Sequence, residues 1–318
     1  MAGTRGLSDA APTLPGVEET AVDHRPEVAT AQVQTPRRPA LSPSRAADFK
    51  QCPLLYRFRA VDRLPELPGR AQVRGTVVHA VLEQLFGLPA AHRTAEAALR
   101  LVEPVWAQLC TREPGLLAQL FAGPDDPELA AWSASAGELV ASYFRLEDPR
   151  RFEPAACELL LETELASGLL LRGYVDRLDV AATGEVRVVD YKTGPAPREV
   201  AEARALFQMK FYALTLMHAR DVVPAQLLLL YLADGETLTY RPDEAELRRF
   251  EGTLEAIWAA IMRAAGDGSF LPNPGPPCGW CSHRARCPAW GGTPPDYPGW
   301  PGDPARGETP LDRGTTPG

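Results

Sequence analysis

An α/β fold, a mixed sheet flanked by helices, is predicted by the way apolar residues change their spacing along this chain. From about residue 41 to 148 they recur at helical intervals, and from 156 to 191 they alternate as in strands. From 199 the helical interval returns, broken by a buried strand at 225–232. Helices ahead of the strands and helices packed around them make a layered sandwich. With 45% apolar and 23% charged residues over 318 positions, the chain can bury a sizeable core in one large domain or two small ones.

Residues 1–40 are rich in Pro, Thr, Ala and Glu without a hydrophobic period, and read as a disordered tail. The fold then begins sharply. Ser42 suits an N-cap, and Pro43 suits the first helical position, where a missing N–H costs nothing. That helix runs to about Gln51, and Pro53 disturbs it just after Cys52. A helix over 73–86 carries Val77, Val78, Val81, Leu82 and Leu85 at helical spacing. Residues 94–148 read as a helical insertion, divided by Pro114 and by Gly123-Pro124-Asp125-Asp126-Pro127. Strands are expected at 156–165, 169–180 and 185–191, the last two joined by the turn Ala182-Thr183-Gly184. A helix at 199–219, the strand at 225–232 and a helix at 243–265 complete a folded domain of residues 41–290. From 291 to 318 Gly, Pro and Asp dominate, which reads as a second disordered tail.

A net charge of −8 argues against a protein that coats nucleic acid nonspecifically, though it leaves room for a local basic groove. Arg57, Arg59, Arg63, Arg70 and Arg74 cluster ahead of the helix at 73–86. The three lysines, Lys50, Lys192 and Lys210, follow Phe49, Tyr191 and Met209, so the Gly-Lys of a P-loop ATPase is missing. The longest apolar stretch, Leu227 to Ala233, has the length of a strand and is far short of a membrane span. The first thirty residues show no secretory signal. A cytoplasmic location follows, where cysteines serve as metal ligands or buried thiols rather than disulfides.

Chemistry is concentrated in two places. Asp190-Tyr191-Lys192 closes an apolar run, and Asp176 lies fourteen residues upstream in Gly173-Tyr174-Val175-Asp176-Arg177. Residues two apart on a strand share a face, so Asp190 and Lys192 point one way while Val189 and Tyr191 point the other. Two carboxylates and an ammonium on adjacent strands make a poor core but a good site for Mg²⁺-assisted attack on a phosphodiester. His79 shares a helical face with Glu83, and imidazole suits Mn²⁺ better than Mg²⁺. Gln208 and Tyr212 share another helical face and could touch a substrate phosphate, and Glu164 is a candidate extra carboxylate.

The second place is Cys278-Gly279-Trp280-Cys281 with Cys287, and with Cys52 at the far end of the fold. A C-x₂-C turn chelates metal by geometry, and four thiolates suit Zn²⁺ or a 4Fe–4S cluster. One remote cysteine with a triplet leans toward iron–sulfur, as a structural staple between the ends of the domain. Cys110 and Cys157 sit in apolar segments and read as buried thiols.

Taken in order, these residues resemble the RecB-family nucleases of the PD-(D/E)XK superfamily, in the iron–sulfur branch with the AddB nuclease domain and the CRISPR-associated nucleases of spacer acquisition. The resemblance spans residues 41–290. Leu41-Ser42-Pro43-Ser44 through Cys52-Pro53 and Tyr56 matches the opening motif, and Gly75-x₃-His79 the histidine motif. Gly173 to Arg177 matches the first acidic motif, Val189 to Gly194 the second, and Gln208-x₃-Tyr212 the helical motif that follows.

The resemblance implies a restriction-endonuclease-like fold in which His79, Asp176, Asp190 and the carbonyl of Tyr191 bind Mg²⁺ or Mn²⁺, with Asp176, Asp190 and Lys192 catalytic. It implies Cys52, Cys278, Cys281 and Cys287 as cluster ligands, and Gln208, Tyr212 and Arg177 along a DNA-binding cleft. The expected activity is a DNA nuclease, foremost an exonuclease on single-stranded or unwound DNA in repair or recombination. The chain lacks the helicase fused to the best-known members, so it would act alone or with a separate helicase. Two other readings are a catalytically weak DNA-binding or scaffold module of a helicase–nuclease complex, and a zinc-stapled protein with other hydrolytic chemistry.

Overall fold

The computed structural model describes residues 38–196 and 199–301. It opens with α1 (Pro43–Gln51), where the Ser42 hydroxyl accepts from the Arg45 N–H at 3.2 Å and Pro43 takes the first turn. Pro53 then starts a new short helix, α2 (Pro53–Tyr56), which runs into a π turn at Arg57–Val61. Four further helices follow: α3 (Arg70–Phe86), α4 (Ala95–Arg112), α5 (Leu116–Leu120) and α6 (Pro127–Leu146). The strands β1 (Ala156–Glu164), β2 (Leu170–Val180) and β3 (Val186–Lys192) come next, then α7 (Glu199–Arg220), β4 (Gln226–Tyr231), β5 (Glu236–Tyr240) and α8 (Glu244–Asp267).

The five strands lie in one sheet in chain order. β3 and β4 run parallel across the α7 connection, and every other pair is antiparallel. This is the mixed sheet flanked by helices that the sequence predicts. β5 is the element that sequence reading passed over, because Glu236-Thr237-Leu238-Thr239-Tyr240 is short and half polar.

Two cores cover the two faces. α1, α2, α7 and α8 pack on one face around Val175, Leu178, Val188, Leu227 and Leu229. α3, α4 and α6 pack on the other around Val189, Tyr191, Leu228 and Leu230. Each fully buried Val or Leu here stabilises the fold by about 1.5–3 kcal/mol. β3 alternates strictly between the cores, Val188 to the first and Val189 and Tyr191 to the second.

β1 and β2 do not alternate strictly. Val175 and Leu178 both enter the first core, whereas Arg177 meets Tyr143 and Phe86 of the second. The alternation therefore slips at Asp176. Opposite it in the ladder, between the pairs Cys157↔Arg177 and Leu159↔Val175, stands Glu158 with φ 47°. A left-handed conformation costs a non-glycine residue on the order of 1–3 kcal/mol, and such strain gathers at functional sites. The β2–β3 ladder also ends here, at Arg177↔Val189. Beyond that point the strands fork, and Leu41 fills the gap by bonding β2 at Leu170 O (2.8 Å) and Arg172 N (2.9 Å).

Both ends of the domain extend past the sequence-based bounds. Arg38 pairs with Glu164 at 2.6 Å and Ala40 is buried, so these residues belong to the fold. At the other end, the reading of disorder from 291 is corrected over 291–301. Tyr297 donates to Ala265 O at 2.8 Å, and Trp300 packs edge-on against Trp258. Gly268 caps α8 at φ 75°, and a Cβ there would lie 2.9 Å from the Tyr297 ring, so glycine is required twice over. Of the tails read at 1–40 and 291–318, residues 1–37 and 302–318 lie outside the described residues.

Candidate active site

The fork between β2 and β3 opens a cleft of about 600 Å³, lined by Asp176, Asp190, Lys192, His79, Gln208 and Tyr212 with the start of α1. Asp176 is fixed from two sides. Its Oδ2 accepts the Tyr191 N–H at 2.6 Å, a donor freed by the end of the ladder, and its Oδ1 lies 3.4 Å from His79 Nδ1. The His79 ring meets the Tyr191 ring edge-on at 5.9 Å, which sets its orientation.

Asp190 and Lys192 share the face predicted for them, with Lys192 Nζ 2.6 Å from Asp190 Oδ2. Gln208 joins them: its Oε1 accepts from Lys192 at 2.8 Å, and its Nε2 lies 3.0 Å from Asp190 Oδ1 and 2.9 Å from the Tyr212 hydroxyl. Gln208 and Tyr212 therefore brace the carboxylate and the ammonium. Tyr212 is only 7% exposed and packs under Gly173, where a Cβ would come within 3.0 Å of its ring.

The carboxylate that completes the site is one that sequence reading missed. His79, Glu158 and Asp176 bring ligand atoms within 4.8 Å of one another, the one such trio among the described residues. Glu164, the candidate read from the sequence, is instead tied to Arg38 at the far end of β1. The available signal was a lone acid interrupting the apolar start of β1, and it becomes decisive only once the alternation slips. One nitrogen and several carboxylate oxygens suit Mn²⁺ or Mg²⁺.

Electrostatics favour a cation here. Burial, with the Asp176 charge beside it, pushes the Glu158 carboxyl up to about 7. Burial also raises Asp190; Lys192 opposes that rise and Asp176 adds to it. For His79, burial disfavours the imidazolium, but Asp176, Asp190 and Glu158 outweigh it and lift the pKa above its ordinary value. Glu158, Asp190 and His79 thus hold protons more readily than usual, protons that a divalent ion would displace.

Arg177 is corrected. It is fully buried, on the face away from the cleft, and cannot line a path for DNA. Its guanidinium meets Glu147 at 2.8 Å, Asp179 at 2.9 Å and the Tyr191 hydroxyl at 2.9 Å. It braces from below the tyrosine whose backbone N–H holds Asp176.

The four cysteines Cys52, Cys278, Cys281 and Cys287 line one cavity of about 360 Å³, with buried His283 in the same wall. Two of the sulfurs face backbone N–H groups at 3.4 Å, Cys52 from Asn273 and Cys278 from Gly275. Among the described residues no three of these sulfurs come within 4.8 Å of one another. A single tetrahedral zinc with bonds of about 2.3 Å would hold them roughly 3.8 Å apart. Cys110 and Cys157 are half-buried free thiols.

Residues 40–288 match the PD-(D/E)XK nuclease superfamily. This chain belongs to that superfamily. It is also similar to the Gene 69 protein of Mycobacterium phage L5, 24% identical over 79% of this chain and 97% of the relative. The Gene 69 protein of Mycobacterium phage D29 is 26% identical over 81% and 99%. The crystal structure of SSO0001 aligns with 79% of this chain and 86% of its own at 14% identity, with a TM-score of 0.36. Membership supports a nuclease acting on DNA, and His79, Glu158 and Asp176 could bind the divalent metal that nucleases of this superfamily use. Among the described residues no helix is long and apolar enough to cross a membrane.

Proposed function

We propose that this chain is a RecB-type deoxyribonuclease, an exonuclease that hydrolyses phosphodiesters of single-stranded or unwound DNA in repair or recombination. One observation carries the reading. His79, Glu158 and Asp176 form a preassembled ligand trio, and Asp190 and Lys192 stand in the same cleft. His79, Glu158, Asp176 and Asp190, with the Tyr191 carbonyl, would hold Mg²⁺ or Mn²⁺. A bound divalent ion supplies charge stabilisation at the phosphoryl oxygens and acidifies water.

The chain's own residues do the rest. Lys192 carries an ammonium to the scissile phosphate and orients the attacking water. Asp190 and Gln208 hold its Nζ at 2.6 and 2.8 Å. Asp176, locked by the Tyr191 N–H, keeps its second oxygen turned to the ligand trio. Gln208 and Tyr212 act as positioning residues behind this arrangement.

The cysteine lobe is read as a 4Fe–4S staple. Four thiols from both ends of the domain share one cavity, two of them facing N–H donors, at a spacing wider than one zinc ion sets. A separate helicase would supply the unwound strand.

The test is cleavage of end-labelled linear and circular single-stranded DNA in Mn²⁺. Loss of the linear strand alone is the expected result. Cutting of circles would make the enzyme an endonuclease. Binding without cleavage of either would replace the reading with a binding or scaffold module.

A further inference from the structure

On β1 and β2, one sheet face is left open beside the ligand trio. The helices of the second core cover that face only as far as Arg177, and past Glu158 and Asp176 the face opens to solvent at Leu160 and Tyr174. Leu160 and Tyr174, paired directly across the ladder, are 45% and 54% exposed. Their neighbours on the same face, Glu162 and Arg172, pair with each other. Single exposed apolar residues are ordinary on protein surfaces. Here two form a cross-strand pair, and Tyr174 and Arg172 line the same cleft as Asp176 and Lys192. Tyr174 makes no hydrogen bond or ring contact among the described residues, so its ring face is free.

The occupant follows from what surrounds the ring. A guanidinium and an ammonium in the cleft recognise phosphate, and an aromatic face beside them recognises the base attached to it. A base can lie on Tyr174 only when it is unstacked and unpaired. We propose that Tyr174, backed by Leu160, is a stacking platform for an unpaired base next to the scissile phosphate, and that this platform makes the cleft selective for single strands. The proposal rests on the nuclease reading above and names its substrate class.

The experiment compares wild type, Tyr174→Ala and Tyr174→Phe on a single-stranded oligonucleotide and on a set in which one abasic site is moved along the strand. Cleavage is read in Mn²⁺, and binding by fluorescence anisotropy. In wild type, one abasic position close to the cut should slow cleavage by roughly ten-fold, within the range of a single stacking contact. Tyr174→Ala should show that loss on the intact strand and no further loss at that abasic position. Tyr174→Phe should behave as wild type. A flat abasic scan, or equal rates for wild type and Tyr174→Ala, would overturn the platform while leaving the nuclease standing. Absence of cleavage by wild type would remove the nuclease reading instead. The platform would then stand or fall on whether Tyr174→Ala binds the intact strand more weakly.

Discussion

The cleft and the cysteine lobe are both ligand sets drawn from distant parts of the chain, and they differ in how far the fold assembles them in advance. In the cleft, ligand atoms of His79, Glu158 and Asp176 already lie within 4.8 Å. Sheet register, the Tyr191 N–H and the Tyr191 ring hold them there. In the lobe, Cys278 lies in the 3₁₀ turn Pro276–Trp280, Cys281 and Cys287 directly follow that turn and the turn Arg284–Arg286, and no three sulfurs approach so closely. A site on strands spends its strain at folding, as at Glu158. A site on short turns takes its geometry from whatever it binds. The cleft should therefore keep its shape when its metal is removed, and the lobe should not.

The largest expected effect lies beneath the cleft. Arg177→Met removes the fully buried partner of Glu147 and Asp179 and leaves them only the half-exposed Arg187, a loss of about 3 kcal/mol, the low end for broken buried ion pairs. Thermal melting should drop sharply. A variant as stable as wild type but weakened only in DNA binding would return Arg177 to the cleft. Next is Lys192→Ala, which should lower cleavage by roughly 10²–10³-fold, the magnitude of losing one preorganised charge donor. Melting should fall less than for Arg177→Met, because Asp190 keeps the Gln208 Nε2 contact and takes up a proton more readily than an ordinary carboxylate. Cleavage within ten-fold of wild type would show that the ammonium is not catalytic.

The lobe comes third. Cys278→Ser should lower stability by about 3 kcal/mol, a fall in melting temperature of roughly 6–12 °C. It should also remove visible absorbance from anaerobically purified protein, while Mn²⁺ affinity at the cleft stays unchanged. Zinc without iron or sulfide in wild type would overturn the cluster, and unchanged melting would overturn the staple.

How much of this was legible beforehand follows from what periodicity can and cannot carry. The period-two pattern of β3 placed Asp190 and Lys192 together, because that strand alternates without interruption between two cores. The Ser42 cap follows from local side-chain chemistry. Glu158 escaped because the slip at φ 47° is invisible to a rule that assumes regular alternation. Arg177 was misplaced for the opposite reason. Strict alternation after Asp176 already put it on the other face, and the family resemblance was given more weight than its position. The packing of 291–301 was hidden by its Gly and Pro content, since Tyr297 and Trp300 find partners only in three dimensions.

The smallest effect separates Glu158 from its neighbours. Its carboxyl, ordinarily near 4.5, sits at about 7 in the folded chain, so without metal the fold favours its protonated form. That contribution to stability is full below the ordinary value and is lost as pH rises through the folded one. Metal binding runs the other way, because a ligand must give up its proton. Mn²⁺ affinity should therefore climb as pH rises through neutrality, with His79 adding to the slope in the same direction. In Glu158→Gln, calorimetric titration below and above neutrality should show affinity reduced by about ten-fold, on the scale of losing one supporting group at a metal site. The pH slope should be shallower, and the part that remains belongs to His79 and Asp190. The free protein should also lose less stability as pH rises, because the amide has no charge to bury. If affinity and slope both matched wild type, Glu158 would be a strained strand residue beside the site, and the ion would be held by His79, Asp176 and Asp190 alone.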